Sequence, residues 1–202
     1  MYPRLKNFIN FALSCILFVQ CQSKLPDVKE GDILFQSSTS KQAKAIELAT
    51  HSGFSHVGVV LKKDGKLMVF EAVGPVKFTP IDKWIRHGKG GRYVVMRLKN
   101  QPNDSVFIKM EAAVPTFEGK NYDSYFDWSD NEMYCSELVW KIYKTAGIEL
   151  CPLKKFKDYD FSNPFVRAKL NERFGNDIPL NEDIVSPEDL SKSALLREAG
   201  EK

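Results

Sequence analysis

Cys135, in the stretch Tyr134-Cys135-Ser136-Glu137-Leu138-Val139-Trp140, stands where a thiol can do chemistry. Cys135, Leu138, Val139, Ile142 and Ala146 recur at helical spacing, and Gly147 is placed as a C-terminal cap, so the pattern predicts a helix that Cys135 opens. A thiol at a helix N-terminus lies among free backbone N–H groups at the positive end of the dipole. That setting favours the nucleophilic thiolate, and the same N–H groups suit an oxyanion. Most free cysteines are nevertheless small buried hydrophobes. The side chains around Cys135 must decide between the two.

Only His56 combines a strand position with a placed acid. His56-Val57-Gly58-Val59-Val60-Leu61 and Leu67-Met68-Val69-Phe70-Glu71-Ala72-Val73 read as strands, and the Asp64-Gly65 pair between them is a hairpin signal. With a four-residue loop from Lys62 to Gly65, His56 falls opposite Glu71. With the two-residue loop Asp64-Gly65 it falls opposite Val73, and Glu71 becomes its diagonal neighbour. In both registers the imidazole and the carboxylate share one sheet face, the arrangement that holds a general base in one tautomer and orientation. His51 and His87 lie in loop-like sequence beside Ser-Gly and Gly-Lys-Gly-Gly, where solvated roles are expected.

The elements that must position these groups follow a basic, apolar leader. Arg4 and Lys6 precede an apolar run from Phe8 to Val19, shorter than the ~20 residues of a membrane-spanning helix and of the length of an export signal. Leu17-Phe18-Val19-Gln20-Cys21 resembles a bacterial lipobox, with Gln20 where a small residue is usual. Residues 1–21 are therefore expected to be a signal peptide, with lipid attachment at Cys21 as a second expectation, and the chain to lie in the cell envelope. Residues 22–202 show no linker, repeat or low-complexity run and read as one domain.

A formal net charge of +3 with dispersed lysines gives no nucleic-acid signature. No Cys or Cys/His cluster has zinc-site spacing and no Gly-rich phosphate loop occurs, so no metal or other cofactor is expected. In the exported chain Cys135 and Cys151 would remain beside Cys21. A helix between them rises roughly 1.5 Å per residue and separates them far beyond the ~5.5 Å that a disulfide prefers, which leaves Cys135 a free thiol.

Gly31 to Phe35 reads as a strand. Ser40 caps a helix to about Ala49 with Ala43, Ile46 and Ala49 on its buried side, and Thr79-Pro80 opens a short helix. Tyr93 to Leu98 is a further strand. Asp104 to Phe117 is a helix with Val106, Met110, Ala113, Val114 and Phe117 inward, which Pro115 should kink or fray. Tyr125-Phe126-Asp127-Trp128 forms an aromatic loop before Cys135, and Ser186-Pro187-Glu188-Asp189 starts a late helix. The region after Pro152 shows no chemistry of its own.

Taken in order, His56-Val57-Gly58-Val59-Val60, Phe70-Glu71-Ala72-Val73-Gly74-Pro75, Gly119-Lys120-Asn121-Tyr122-Asp123 and the Cys135 stretch resemble the YiiX family, the circularly permuted branch of the papain-like NlpC/P60 superfamily. Gly31-Asp32-Ile33-Leu34-Phe35 and Phe161-Ser162-Asn163-Pro164 extend the resemblance over nearly the whole mature chain. It implies an α+β, permuted papain-like fold, with an antiparallel sheet or small barrel packed on the cysteine helix. It also implies Cys135 as nucleophile, His56 as base and Glu71 as orienting residue. Tyr122, Tyr134 and Ser136 are expected to contact substrate. Asn121 stands where relatives more often carry proline.

The resulting expectation is an exported cysteine hydrolase acting through an acyl-enzyme on an amide in cell-wall-type peptides, in a short cleft with polar groups fixing the peptide. Lipid or thioester acyl chemistry is the alternative, and a peptide- or lipid-binding module of the same fold is the non-catalytic one. The substrate is thus a peptide or a lipid-linked group, and membrane attachment would run through Cys21. The oligomeric state is left open.

Overall fold

The computed structural model describes residues 27–202. The expected signal peptide, 1–21, and Cys21 lie outside these residues. Among the described residues no helix is long and apolar enough to cross a membrane.

The chain enters at strand β1 (Ile33–Gln36) and passes through helix α1 (Lys41–Thr50) to the hairpin of β2 (His56–Lys63) and β3 (Lys66–Ala72). Strand β4 (Val76–Thr79), helix α2 (Ile81–His87), strand β5 (Val94–Leu98) and helix α3 (Asp104–Phe117) lead to α4 (Cys135–Thr145). After α4 come β6 (Lys154–Lys155), α5 (Pro164–Phe174), β7 (Asp183–Ile184), α6 (Pro187–Ser191) and β8 (Leu196–Glu201). One antiparallel sheet runs β4-β3-β2-β1-β5-β8, and β6 pairs with β7 apart from it. This is the expected α+β arrangement.

Strand alternation gives the sheet two apolar faces. Ile33, Phe35, Val57, Val59, Leu61 and Phe70 pack with Met110 of α3 and with Leu138, Val139 and Ile142 of α4. Each such aliphatic side chain contributes roughly 1.5–3 kcal/mol relative to exposure, so the stripe on α4 is enough to dock the cysteine helix. Leu34, Val60, Val69 and Val95 face the other way and are covered by Trp84 of α2.

The hairpin adopts the two-residue loop. Lys63 pairs with Lys66, and both Asp64 and Gly65 have positive φ, the geometry an Asp-Gly turn supplies without strain at the glycine. Ser40 caps α1 by accepting from the Ala43 N–H at 3.0 Å, as the sequence predicts. Ile46 and Ala49, expected inside, are only partly covered, because the face they share borders a cleft. Thr79 belongs to β4 and does not cap α2. Helix α3 continues through Pro115 to Phe117, since the Glu118 N–H still reaches the Val114 carbonyl at 2.9 Å. Cys135 and Cys151 are both free.

Candidate active site

Cys135 is the first residue of α4 and is 3 % exposed. The first N–H groups of a helix have no intrahelical partner, so those beside the thiol are available to a ligand. Glu137, one turn on, accepts the Tyr134 N–H at 3.3 Å and fixes where the helix begins. Its carboxyl sits beside the Lys141 ammonium at 2.8 Å. Burial nonetheless outweighs these partners and pushes Glu137 up to about 7.

His56 is the first residue of β2 and stands at the end of the sheet, where the tip of α4 meets it. Its Nε2 lies 2.6 Å from Oε2 of Glu71, which is 1 % exposed. The observed register makes the two residues diagonal neighbours across the hairpin. Gly58 lies between them, and a Cβ there would come within 2.4 Å of Val69 Cγ1 and 3.3 Å of Glu71 Cβ. The glycine therefore keeps a flat floor beneath the pair. Trp84 stacks on the imidazole from the covered face, centroids 6.0 Å apart.

Burial opposes a charge on His56, but hydrogen bonds to Cys135 and Glu71 and their negative charges outweigh it and raise His56 to about 10. Burial likewise opposes the Glu71 carboxylate, and the hydrogen bond and charge of His56 bring it below its ordinary value. With Nε2 engaged by Glu71, Nδ1 is the nitrogen left for the sulfur. The three side chains expected to form a triad are thus brought together, Glu71 hydrogen-bonded to the His56 imidazole and the Cys135 thiol near enough to it to raise its basicity.

A cleft of about 780 Å³, solvent at its mouth included, opens at Cys135. Ala45, Ile46 and Ala49 of α1 form one wall and Val166 and Leu170 of α5 the other, with Phe126, Phe156 and Phe161 between them. This lining is more apolar than the short polar cleft expected from the sequence, because α1 and α5 turn aliphatic faces toward each other across it.

Tyr122, Tyr134 and Ser136 all line the cleft. The Ser136 hydroxyl donates to the Val185 carbonyl at 2.8 Å, and the Val185 N–H donates to the Tyr134 hydroxyl at 3.3 Å. These two residues hold the segment before α6 against α4. Tyr122 is different. Its hydroxyl accepts from Gln42 Nε2 at 2.8 Å, and burial first, with the charge of Cys135 adding to it, pushes the phenol well above its ordinary value. Sequence reading missed Gln42, Val166, Leu170, Arg173 and Ile184, which also border the cleft. Asn163-Pro164 followed by Val166 and Leu170 carried a helix-start signal and an i, i+4 apolar pair that would have shown the second wall.

A family model described as "Permuted papain-like amidase enzyme, YaeF/YiiX, C92 family" matches residues 27–198. The chain belongs to this family. Among its relatives, the Escherichia coli (strain K12) protein YiiX, described as uncharacterized, is 48 % identical over 159 residues, 78 % of this chain and 79 % of that one. The crystal structure of the metalloprotein YiiX from Escherichia coli O157:H7 superposes with a TM-score of 0.84 at 45 % identity, covering 89 % of this chain and 99 % of that one. Membership in the permuted papain-like amidase family supports a cysteine hydrolase type, and the fold is that of YiiX. The solved YiiX is described as a metalloprotein. Among the described residues no three His, Cys, Asp or Glu side chains converge, and the Glu71 carboxylate is turned to the His56 Nε2 that a metal would need. The described residues do not fit a metal site.

Proposed function

We propose that this chain is a cysteine amidase that works through an acyl-enzyme and takes substrates with an apolar acyl group. Cys135 is the nucleophile, His56 the base and then the acid, and Glu71 the residue that orients His56. The Cys135 sulfur attacks the amide carbon, and the oxyanion is met by the free N–H groups at the start of α4. The C–N bond breaks as His56 gives its proton to the leaving nitrogen. Water, deprotonated by His56, then attacks the thioester and releases the acid and the thiol. The observation that carries the chemistry is the hydrogen bond of the buried Glu71 carboxylate to His56 beside the Cys135 thiol at the start of α4.

The apolar walls of the cleft support the acyl part of the reading. A methylene contributes roughly 0.8 kcal/mol only when protein encloses it. The expected leader at 1–21, with attachment at Cys21, would set the cleft at an envelope membrane where such substrates occur. Fractionation tests that location, and an unprocessed cytoplasmic chain would refute it.

The functional test compares N-acyl amides of increasing chain length with muropeptides, a phospholipid and an acyl thioester, with Cys135→Ala as the blank. For the amides, kcat/KM should rise about fourfold per methylene until the cleft is filled. Turnover of muropeptides alone would overturn the apolar acyl group. Absence of any acyl adduct on Cys135 by mass, with tight ligand binding retained, would mean a binding module.

A further inference from the structure

Helix α5 turns two cations, Lys169 and Arg173, one helical turn apart into the cleft. Lys169 is paired with Glu172. Among the described residues no carboxylate lies within ion-pair distance of Arg173, although its guanidinium is half-buried and held in place. It stacks over the Phe126 ring, 5.0 Å from the centroid, and its Nη2 donates to Gln42 Oε1 at 3.1 Å.

That hydrogen bond orders its surroundings. Arginine can only donate, so the oxygen of the Gln42 amide must face it and the amide nitrogen must face Tyr122. Gln42 Nε2 does donate to the Tyr122 hydroxyl at 2.8 Å. Both ends of the amide are then engaged, and Arg173 is tied by two hydrogen bonds to the phenol beside Cys135. Of the five N–H donors on the guanidinium only one has a protein partner among the described residues.

A fixed, planar, unneutralised guanidinium in a mainly apolar cleft is matched to an oxyanion that accepts two parallel N–H groups. From this geometry we infer that Arg173 is an anion-reading subsite, and that the substrate is an apolar acyl amide whose amine portion carries a carboxylate or a phosphate. This rests on the amidase reading only for where the anion falls. Val166 and Leu170 precede Arg173 on α5, and Arg173 stands at the end of that wall tied through Gln42 to Tyr122, so an acyl chain lying along the two aliphatic residues leaves the charged group to the amine portion. Gln42 acts through Arg173 as a positioning residue.

The test uses the full chain carrying Cys135→Ala, so that binding is read without turnover. N-decanoylglycine, its neutral carboxamide and N-decanoyl phosphoethanolamine are compared by calorimetry. The carboxylate, the phosphate or both should bind about 10- to 100-fold more tightly than the carboxamide, as charge-assisted hydrogen bonds to arginine are worth. Whichever anion is preferred identifies its source.

Arg173→Gln should remove that ratio. Gln42→Glu keeps Arg173 and its stacking but gives it a carboxylate partner, and should remove the ratio as well. A ratio near one in the parent protein overturns the inference whatever the turnover assays show. So does a ratio that survives Gln42→Glu, because it would place the anion elsewhere. Anion preference without any acyl-enzyme in the protein that retains Cys135 would count against the amidase reading alone.

Discussion

The reacting end of the cleft and its walls draw their residues from different distances along the chain. His56 and Glu71 are 15 positions apart and joined by a two-residue turn, so strand pairing alone brings them together. Gln42 and Arg173 are 131 positions apart and meet only because α1 packs on α5. The two ends differ in chemistry as well. Hydrogen-bonded, charged groups gather at Cys135, and aliphatic surface extends away from it. On the proposed reading the first region would break the bond, and the second would select the molecule that presents it.

If that division is right, Cys135→Ala or His56→Ala should lower turnover by about ten-thousand-fold or more while binding of an apolar ligand stays within a few-fold. The two losses should not add, because nucleophile and base act as a unit. A double variant much worse than either single one would separate what we treat as one device.

Glu71→Gln should cost about tenfold, the difference between a charged and a neutral hydrogen bond. It should also change the pH profile in a stated direction. The Glu71 carboxylate helps to hold His56 at about 10. Without it the His56 value falls, so the alkaline limb of kcat must move to lower pH. In the parent protein the same raised value contributes stability that is complete below the ordinary histidine value of 6.5 and is lost as pH climbs toward about 10. An unmoved alkaline limb in an intact Glu71→Gln protein would remove Glu71 from its orienting role.

Leu170→Gln tests the other region. It places an amide on the apolar wall and should raise KM about tenfold for a long acyl amide, and hardly at all for a short one that never reaches α5. An equal effect on both lengths would mean that the wall does not sort chains.

Glu137→Gln should have the smallest effect on activity, its main readout being stability. Because burial raises the folded-state value of Glu137 from 4.5 to about 7, the folded protein holds that proton more strongly across this window. Stability therefore falls as pH rises through it. The variant should flatten this part of the dependence of the thermal midpoint on pH. A midpoint profile identical to the parent's would contradict the placement of the carboxyl.

The two regions were unequally legible in the sequence. Period-two alternation and Asp64-Gly65 were enough to put His56 and Glu71 on one face, and the stripe of Leu138, Val139 and Ile142 was enough to place Cys135 at a helix start. Both depend on neighbours near in sequence. Which of the two hairpin registers applied was left to structure, since side chains share a face in either. The cleft walls could not be read in the same way. Ile46 and Ala49 have the spacing of a core-facing stripe, and nothing local distinguishes a stripe facing a core from one facing a cleft. Tyr134 and Ser136, read from the sequence as substrate contacts, do line the cleft. Their engagement with Val185, some fifty positions later, depends on packing that no local pattern encodes.

On the proposed mechanism, the pairing of β8 with β5 bears on when the thiol would become reactive. Residues 196–201 follow every residue of the cleft and cover the edge of β5, bonding at its far end through the Tyr93 N–H to the Lys202 carbonyl at 3.1 Å. During synthesis the hairpin with its base emerges first, the nucleophile after it, and the strand that closes the sheet last of all. Until then β5 offers an unpaired edge, and pairings this distant form slowly. On the proposed mechanism a nascent chain would carry its cysteine before it has a finished sheet to hold His56, and reactivity would wait for β8 to pair.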